Sequence, residues 1–349
     1  MKYPAIYYMI MGQRSNGKTY WWCDEALNRY EKTEEGSAYI RRYDSEIKAE
    51  NISTLFEPHD ISKITKGKWN GTEYKKHAFT LVWRNEDGII EKRDTKPFCN
   101  TYALNTWEAS KGADRGVVTW ICFDEFMTRR RYLSNEFVIF QNILSSIIRD
   151  RANALVFMLA NTVNKYCPYF KEMGLTRVDM MKPGDIDLYT FGNSGLSVAV
   201  EMCTESKTTK EVSKYYAFDN PQLEMITKGS WEIASYPHLD MSVTKEMIQF
   251  KFYILFNRQL VCGDVIVTGD YLFILYHMHT GNHVPDNNDV MYLPVHDGAM
   301  MHAVTLNERK TRLHEIVAQL ISEGREFYSD NSVGEIIRNW KLNQLRFDI

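Results

Sequence analysis

An α/β protein whose first 200 residues build a mostly parallel sheet, followed by a small linker and an α+β domain, is what this sequence predicts. Three observations predict it. Short apolar runs of strand length alternate with helical patterns up to about residue 200. Two of those runs, Val117–Phe123 and Ala154–Ala160, are apolar but for Thr119, as strands covered on both faces tend to be. The length of 349 residues suits more than one domain.

Taken in order, Tyr3–Met11 reads as a strand, the polar GQRSNGKT as a loop, and TYWWCDEALNRY as a helix closing near Gly36. Ser37–Arg42 is a second short strand. Residues 45–115 read as an insertion between core strands, with Lys63, Lys66, Lys68, Lys75 and Lys76 around Trp69 and Tyr74, and a hairpin turning at Asp87-Gly88. Val117–Phe123 is the buried central strand, stopped by the polar Asp124-Glu125. Ser134 is the expected N-cap of a helix with Phe137, Phe140, Leu144, Ile147 and Ile148 on one face. That helix runs out at Arg149-Asp150-Arg151, ahead of the strand ALVFMLAN. Residues 201–240 turn polar and mixed, which marks the linker between a first domain at 1–200 and a second domain at 241–349. There IQFKFYILF, QLVCGDVIV and DYLFILYHM read as consecutive strands, and helices are expected at about 306–327 and 333–345.

Composition excludes several classes. Hydrophobic content of 44% with 25% charged residues is too apolar for a disordered chain. The net charge of −3 is unlike a stand-alone nucleic-acid binder, so any such contact must be local. Six cysteines without a C-x-x-C pair argue against a zinc knuckle and against a secreted disulfide framework. They are expected reduced and mostly buried. No apolar run reaches the roughly 20 residues of a membrane helix, and MKYPAIYYMI lacks the features of a signal peptide, so a cytoplasmic protein without a membrane partner is expected.

Gly12-Gln-Arg-Ser-Asn-Gly17-Lys18-Thr19 fits G-x-x-x-x-G-K-[ST] in full, between a predicted strand and a predicted helix. Glycines let the backbone approach phosphate, amide groups and the helix N-terminus face its oxygens, and lysine offsets β/γ-phosphate charge. Gly12, Ser15, Asn16, Gly17, Lys18 and Thr19 are therefore the expected ATP-binding residues. Thr19 and Asp124, at the end of its strand, are the expected Mg²⁺ ligands. Glu125 is placed to deprotonate an attacking water, which suits hydrolysis better than transfer to a second substrate. Asn161 ends its strand where it can meet the γ-phosphate, a plain turn asparagine being the alternative. Arg149 and Arg151 precede that strand, on the opposite edge from Asn161. They suit a neighbouring subunit's nucleotide in a ring, or else solvent.

The run YIRRY, the motif CFDEF, the stretch IIRDRANALVFMLANTVNKYCPYF and the phosphate loop, in this order over most of the first 170 residues, resemble the DNA-packaging ATPases of phi-29-like tailed phages. The resemblance implies an additional-strand, catalytic-glutamate (ASCE-type) P-loop ATPase domain, a linker or lid, and a C-terminal RNase H-like domain that is a vestigial nuclease. It implies a pentameric ring at the procapsid portal, bound through a packaging RNA in the host cytoplasm, that drives double-stranded DNA into the head. It makes Arg151 the better match to the family's trans-acting arginine finger and Arg149 the second choice. Arg41 and Arg42 fall on the family's paired arginines near the pore or subunit face. Where the family follows these with a DNA-gripping lysine, this sequence has Asp44, so Lys48, or Lys66 and Lys68 of the lysine-rich 63–76 segment with Trp69, is the expected replacement. Asp240, Asp264, Asp270 and Asp297 are the carboxylates a working nuclease would need, although a docking role toward RNA or portal is the expected use of that domain. Two other readings are a terminase-type motor with an active nuclease and a nucleotide-switched assembly module.

Overall fold

The computed structural model describes residues 3–14, 16–110, 116–149, 153–204, 231, 233–294, 300 and 302–344. The chain divides into two units, Met1–Glu232 and Ile233–Ile349, and the expected linker at 201–240 lies largely outside the described residues.

The first unit contains β1 (Tyr7–Gly12), α1 (Lys18–Thr33), β2 (Gly36–Arg41), β3 (Gly71–Lys75), β4 (Ala78–Arg84), β5 (Ile90–Arg93) and β6 (Cys99–Ala103). It continues with β7 (Val118–Asp124), α2 (Glu136–Ile148), β8 (Leu155–Asn161), β9 (Ile186–Phe191) and β10 (Leu196–Met202). The sheet runs β3-β4-β6-β2-β7-β8-β1-β10-β9, with β5 on β4. From β6 to β10 every neighbouring pair is parallel, and antiparallel pairs lie at the margins. β8 therefore stands between the phosphate-loop strand β1 and the aspartate strand β7.

Alternation along the inner strands feeds two cores. Ile121 and Phe123 of β7 pack with Phe140, Ile143, Leu144 and Ile147 of α2. Trp120 and Cys122 face the other way, with Trp22, Cys23, Ala26, Leu27 and Tyr30 of α1. The α1 residues recur at helical spacing and form one stripe. Because both faces are covered, β7 is apolar at successive positions.

The structure corrects several expectations. β1 begins at Tyr7 rather than Tyr3, because Pro4 has no amide hydrogen for a ladder and the Ala5 amide donates to the Tyr8 hydroxyl at 2.9 Å. The N-cap of α2 is Asn135 at φ 52°, not Ser134, and the Glu136 carboxylate accepts the Leu133 amide at 2.8 Å. The 45–115 stretch does more than interrupt the core, since β6 joins the parallel set beside β2 and β3 to β5 extend it. The hairpin around Asp87-Gly88 joins β4 and β5. Trp69 is a core residue, and its ring also carries Lys92 at 4.8 Å and Lys68 at 6.0 Å from its centre.

The second unit contains β11 (Ile248–Phe256), β12 (Gln259–Thr268), β13 (Tyr271–Met278), β14 (Val290–Tyr292), α3 (Arg312–Ser322), β15 (Glu326–Tyr328) and α4 (Asn331–Gln344). Its sheet runs β14-β11-β12-β13-β15, an antiparallel meander with a parallel strand at each edge. The β11–β12 turn places Asn257 and Arg258 at φ 49° and 63°, as a tight hairpin requires. The expected helix over 306–327 is shorter, because Gly324 at φ 68° ends it and Glu326–Tyr328 is recruited as an edge strand. β14 has too few residues to be seen as a strand without its partner. All six cysteines are free thiols and five are buried. Among the described residues no helix is long and apolar enough to cross a membrane.

Candidate functional site

A cavity of about 630 Å³ lies at the C-terminal ends of β1, β7 and β8, where open α/β sheets bind ligands. Its lining includes Asn16, Gly17, Lys18, Thr19, Asp124, Glu125 and Asn161, which are widely separated in sequence.

The loop after β1 has the shape its glycines allow. Gly17, at φ 80°, turns the chain into α1. A Cβ on Gly12 would stand 2.7 Å from Asn16 Nδ2 and 2.8 Å from Cys203 Cβ, so the backbone there is packed too closely for a side chain. The first turn of α1 carries no acidic residue, leaving its positive end open to an anion.

Lys18 Nζ donates to Gln13 O and Asn16 Oδ1, each at 2.8 Å, and to Asn161 Oδ1 at 3.3 Å. Burial lowers the proton affinity of its ammonium, against the opposing influence of Cys203 and Asp124. A phosphate placed there would reverse that effect. The Asn161 contact follows from register, since Asn161 of β8 pairs with Gly12 of β1.

Asp124, the last residue of β7, is buried and held on three sides. Its Oδ2 accepts Thr19 Oγ1 at 2.9 Å and Tyr39 OH at 2.7 Å, and its Oδ1 accepts the Glu125 amide at 3.0 Å. Burial, followed by the Asp124 charge, drives the Tyr39 phenol well above its ordinary range, so Tyr39 remains a donor. The Thr19 hydroxyl and the Asp124 carboxylate form a compact pair of hard oxygen donors, which fits Mg²⁺.

Glu125 occupies a left-handed backbone position, φ 54°, immediately after the strand. Its Oε2 accepts Arg41 Nη2 at 2.7 Å, and the same guanidinium reaches Glu46 Oε1 at 2.8 Å. Arg41 is thus committed to two carboxylates at the site.

Arg42 is a correction. It is buried, with Nε and Nη2 on the Glu136 carboxylate at 2.9–3.1 Å and further bonds to the Glu125 and Phe126 carbonyls. Its fully engaged guanidinium has no surface for a nucleic acid. It ties β2 to the chain that follows Asp124.

Lys48, Lys66 and Lys68 are exposed and do not line the cavity. Arg149 lies at the C-terminal end of α2, before β8 begins, and so at the opposite sheet edge from Asn161. Ser15 and Arg151 lie outside the described residues. Sequence reading did not find Tyr39, nor Arg14, Arg129 and Arg130, which also line or support the cavity. The arginines carry no spacing signal, and Tyr39 is identified only by the pairing of β2 with β7.

Residues 1–210 match the family described as podovirus DNA encapsidation protein (Gp16). The DNA packaging protein of Bacillus phage B103 is 29% identical over 180 residues, which are 50% of this chain and 50% of that one. The DNA packaging protein of Bacillus phage phi29 is 27% identical over 173 residues, 49% of this chain and 47% of that one. The matched stretch spans about half the length of these curated relatives. A chain of the solved bacteriophage Phi-29 viral genome packaging motor assembly is similar in fold over 99% of this chain and 96% of that one, with a TM-score of 0.51 and 19% identity.

Proposed function

The chain belongs to the podovirus DNA encapsidation protein (Gp16) family, and from that premise we propose that it is an ATP-hydrolysing motor that drives double-stranded viral DNA into a preformed procapsid. The observation that carries the reading is the convergence of Lys18, Thr19, Asp124, Glu125 and Asn161 on one cavity. In this reading the loop amides and Lys18 hold the β- and γ-phosphates, and Asn161 senses the γ-phosphate. Thr19 and Asp124 would hold Mg²⁺, which when bound offsets phosphate charge. Glu125 accepts the proton of the attacking water. Its Oε2 is bonded to Arg41, so parting of that pair would free the whole carboxylate for the water. The interposed β8 and a glutamate directly after Asp124 support the ASCE-type assignment.

The motor works in this reading as a homo-pentameric ring docked on the procapsid portal in the host cell, through a packaging RNA. Arg151, with Arg149 as second choice, completes the neighbour's site, which suits the position of Arg149 away from its own cavity. Lys48, Lys66 and Lys68 grip DNA phosphates, and repetition around the ring compensates for a nearly neutral chain. Residues 1–200 form the ATPase, 201–240 the lid, and 241–349 a vestigial RNase H-like domain used for docking. An active nuclease is disfavoured: Asp264 is committed to Lys251 and His277, Asp240 and Asp270 are exposed, and Asp297 lies outside the described residues.

The test mixes Glu125→Gln, which keeps its finger, with Arg151→Ala, which keeps its site, and measures ATP hydrolysis with double-stranded DNA. Recovery of activity on mixing supports shared sites in a ring. Two variants that co-assemble and stay inactive together reject Arg151 as a trans finger. Wild-type turnover that DNA never stimulates in any assembled state favours the switch module.

A further inference from the structure

The second unit holds a cluster that the proposed motor does not use. Cys262 and Asp264, two apart on β12, face the same side of the sheet, and His277 of β13 pairs in register with Cys262. Cys262 Sγ lies 3.4 Å from Asp264 Oδ1, and His277 Nε2 lies 3.3 Å from Asp264 Oδ2. One ligand atom from each residue falls within 4.8 Å of the others. Cys262 and Asp264 are buried and His277 is partly open to solvent.

From this geometry we propose that Cys262, Asp264 and His277 form a binding site for a thiophilic divalent ion of the zinc class. Zinc bonds of about 2.0–2.3 Å in a tetrahedron set ligand atoms roughly 3.3–3.7 Å apart; His277 Nε2 and Asp264 Oδ2 already stand at such an edge, and the Cys262 thiol, 3.4 Å from the other carboxylate oxygen, needs only a small closing movement to complete the set. The His277 ring is already oriented for the role. Its Nδ1 bonds the Met278 carbonyl at 3.0 Å, the outer contact that aims Nε2 of a metal-binding histidine inward. A thiolate, an imidazole and a carboxylate select zinc or cobalt over magnesium, so the site is chemically distinct from the oxygen pair at Thr19 and Asp124.

Charge is also accommodated. Lys251 Nζ sits on Asp264 Oδ1 at 2.8 Å, leaving Oδ2 facing His277. An M²⁺ ion that replaces the thiol proton and one imidazolium proton leaves the net charge of the cluster unchanged. The ion would staple β12 to β13.

The full-length chain, stripped with a chelator and desalted, is titrated with Co²⁺ alone while thiolate-to-cobalt absorption is followed in the near ultraviolet. The expected result is a band that saturates at one ion per chain, is displaced by Zn²⁺, and is lost in Cys262→Ser and in His277→Gln. Cys203→Ser, a change in the other unit, should keep it. Each variant is checked for a cooperative thermal transition. If Cys262→Ser does not fold, loss of the band in folded His277→Gln and Asp264→Asn decides in favour. A wild-type chain without the band at millimolar Co²⁺, or a band that survives Cys262→Ser or His277→Gln, overturns the proposal and leaves a hydrogen-bonded ion-pair cluster.

Discussion

Arg42→Met separates a structural arginine from a nucleic-acid-binding one. Methionine keeps much of the stem volume but removes the guanidinium from the Glu136 carboxylate, to which it makes contacts at 2.9, 3.0 and 3.1 Å. Glu136 is 3% exposed and would retain the Leu133 amide and the Tyr169 hydroxyl as partners. The Glu125 and Phe126 carbonyls would also lose a donor. Removing one member of a buried pair costs about 3–5 kcal/mol, because the remaining charge is left desolvated. For a unit of this size that lowers the melting temperature by about 10 °C. Thermal unfolding followed by circular dichroism measures it. Arg42→Met/Glu136→Leu, which removes both charges, should recover most of the loss. DNA affinity of the folded single variant, measured at low temperature, should match wild type. A melting temperature within about 2 °C of wild type, or a double variant worse than either single one, would refute the reasoning.

Lys18→Ala should abolish nucleotide-dependent thermal stabilisation as well as hydrolysis, read by a melting shift with ATP and Mg²⁺; a shift equal to wild type places the phosphates elsewhere. Arg41→Ala frees the Glu125 carboxylate and should raise turnover in the absence of DNA while shrinking the stimulation DNA gives; equal losses of both rates would make Arg41 a structural support only. Tyr39→Phe deletes a 2.7 Å bond to a buried carboxylate and should cost about 1.5–3 kcal/mol in denaturant unfolding, with a raised Mg²⁺ requirement in the ATPase assay. Lys66→Ala/Lys68→Ala should weaken DNA binding and reduce the slope of log affinity on log salt by about 2 per engaged subunit; an unchanged slope removes these lysines from the DNA interface.

The parts of this molecule legible in the sequence are those encoded by short-range pattern. The phosphate loop is a contiguous string, and β7 and β8 are nearly continuous apolar runs, so their ends at Asp124 and Asn161 are readable to within a residue. What escaped depends on which strands lie side by side. Tyr39 reaches Asp124 because β2 pairs with β7, and no spacing records that neighbour relation. Arg41 and Arg42 are adjacent and chemically alike, yet one meets Glu125 beside the cavity and the other a buried Glu136. Trp69 looked like an aromatic among lysines, and only the packed core places it inside. The Cys262, Asp264 and His277 cluster contains no metal-binding motif, because its members come from two strands brought together by register.

The same register divides the candidate site into parts with different freedom to move. Asn161 is set against Gly12, and the end of β7 against β8, by the hydrogen-bond ladder of the sheet's interior. Shifting either by one residue would turn its side chain to the other face, so their spacing is fixed as firmly as the sheet itself. Glu125 follows the last residue of β7 with its backbone held by Asp124 and Arg42, but its side chain is anchored by a single guanidinium. In mechanical terms Asn161 is a datum, and Glu125 is the side chain with room to turn against it. In the motor proposed above, a stroke would begin with the rotation of one side chain against the register of the sheet.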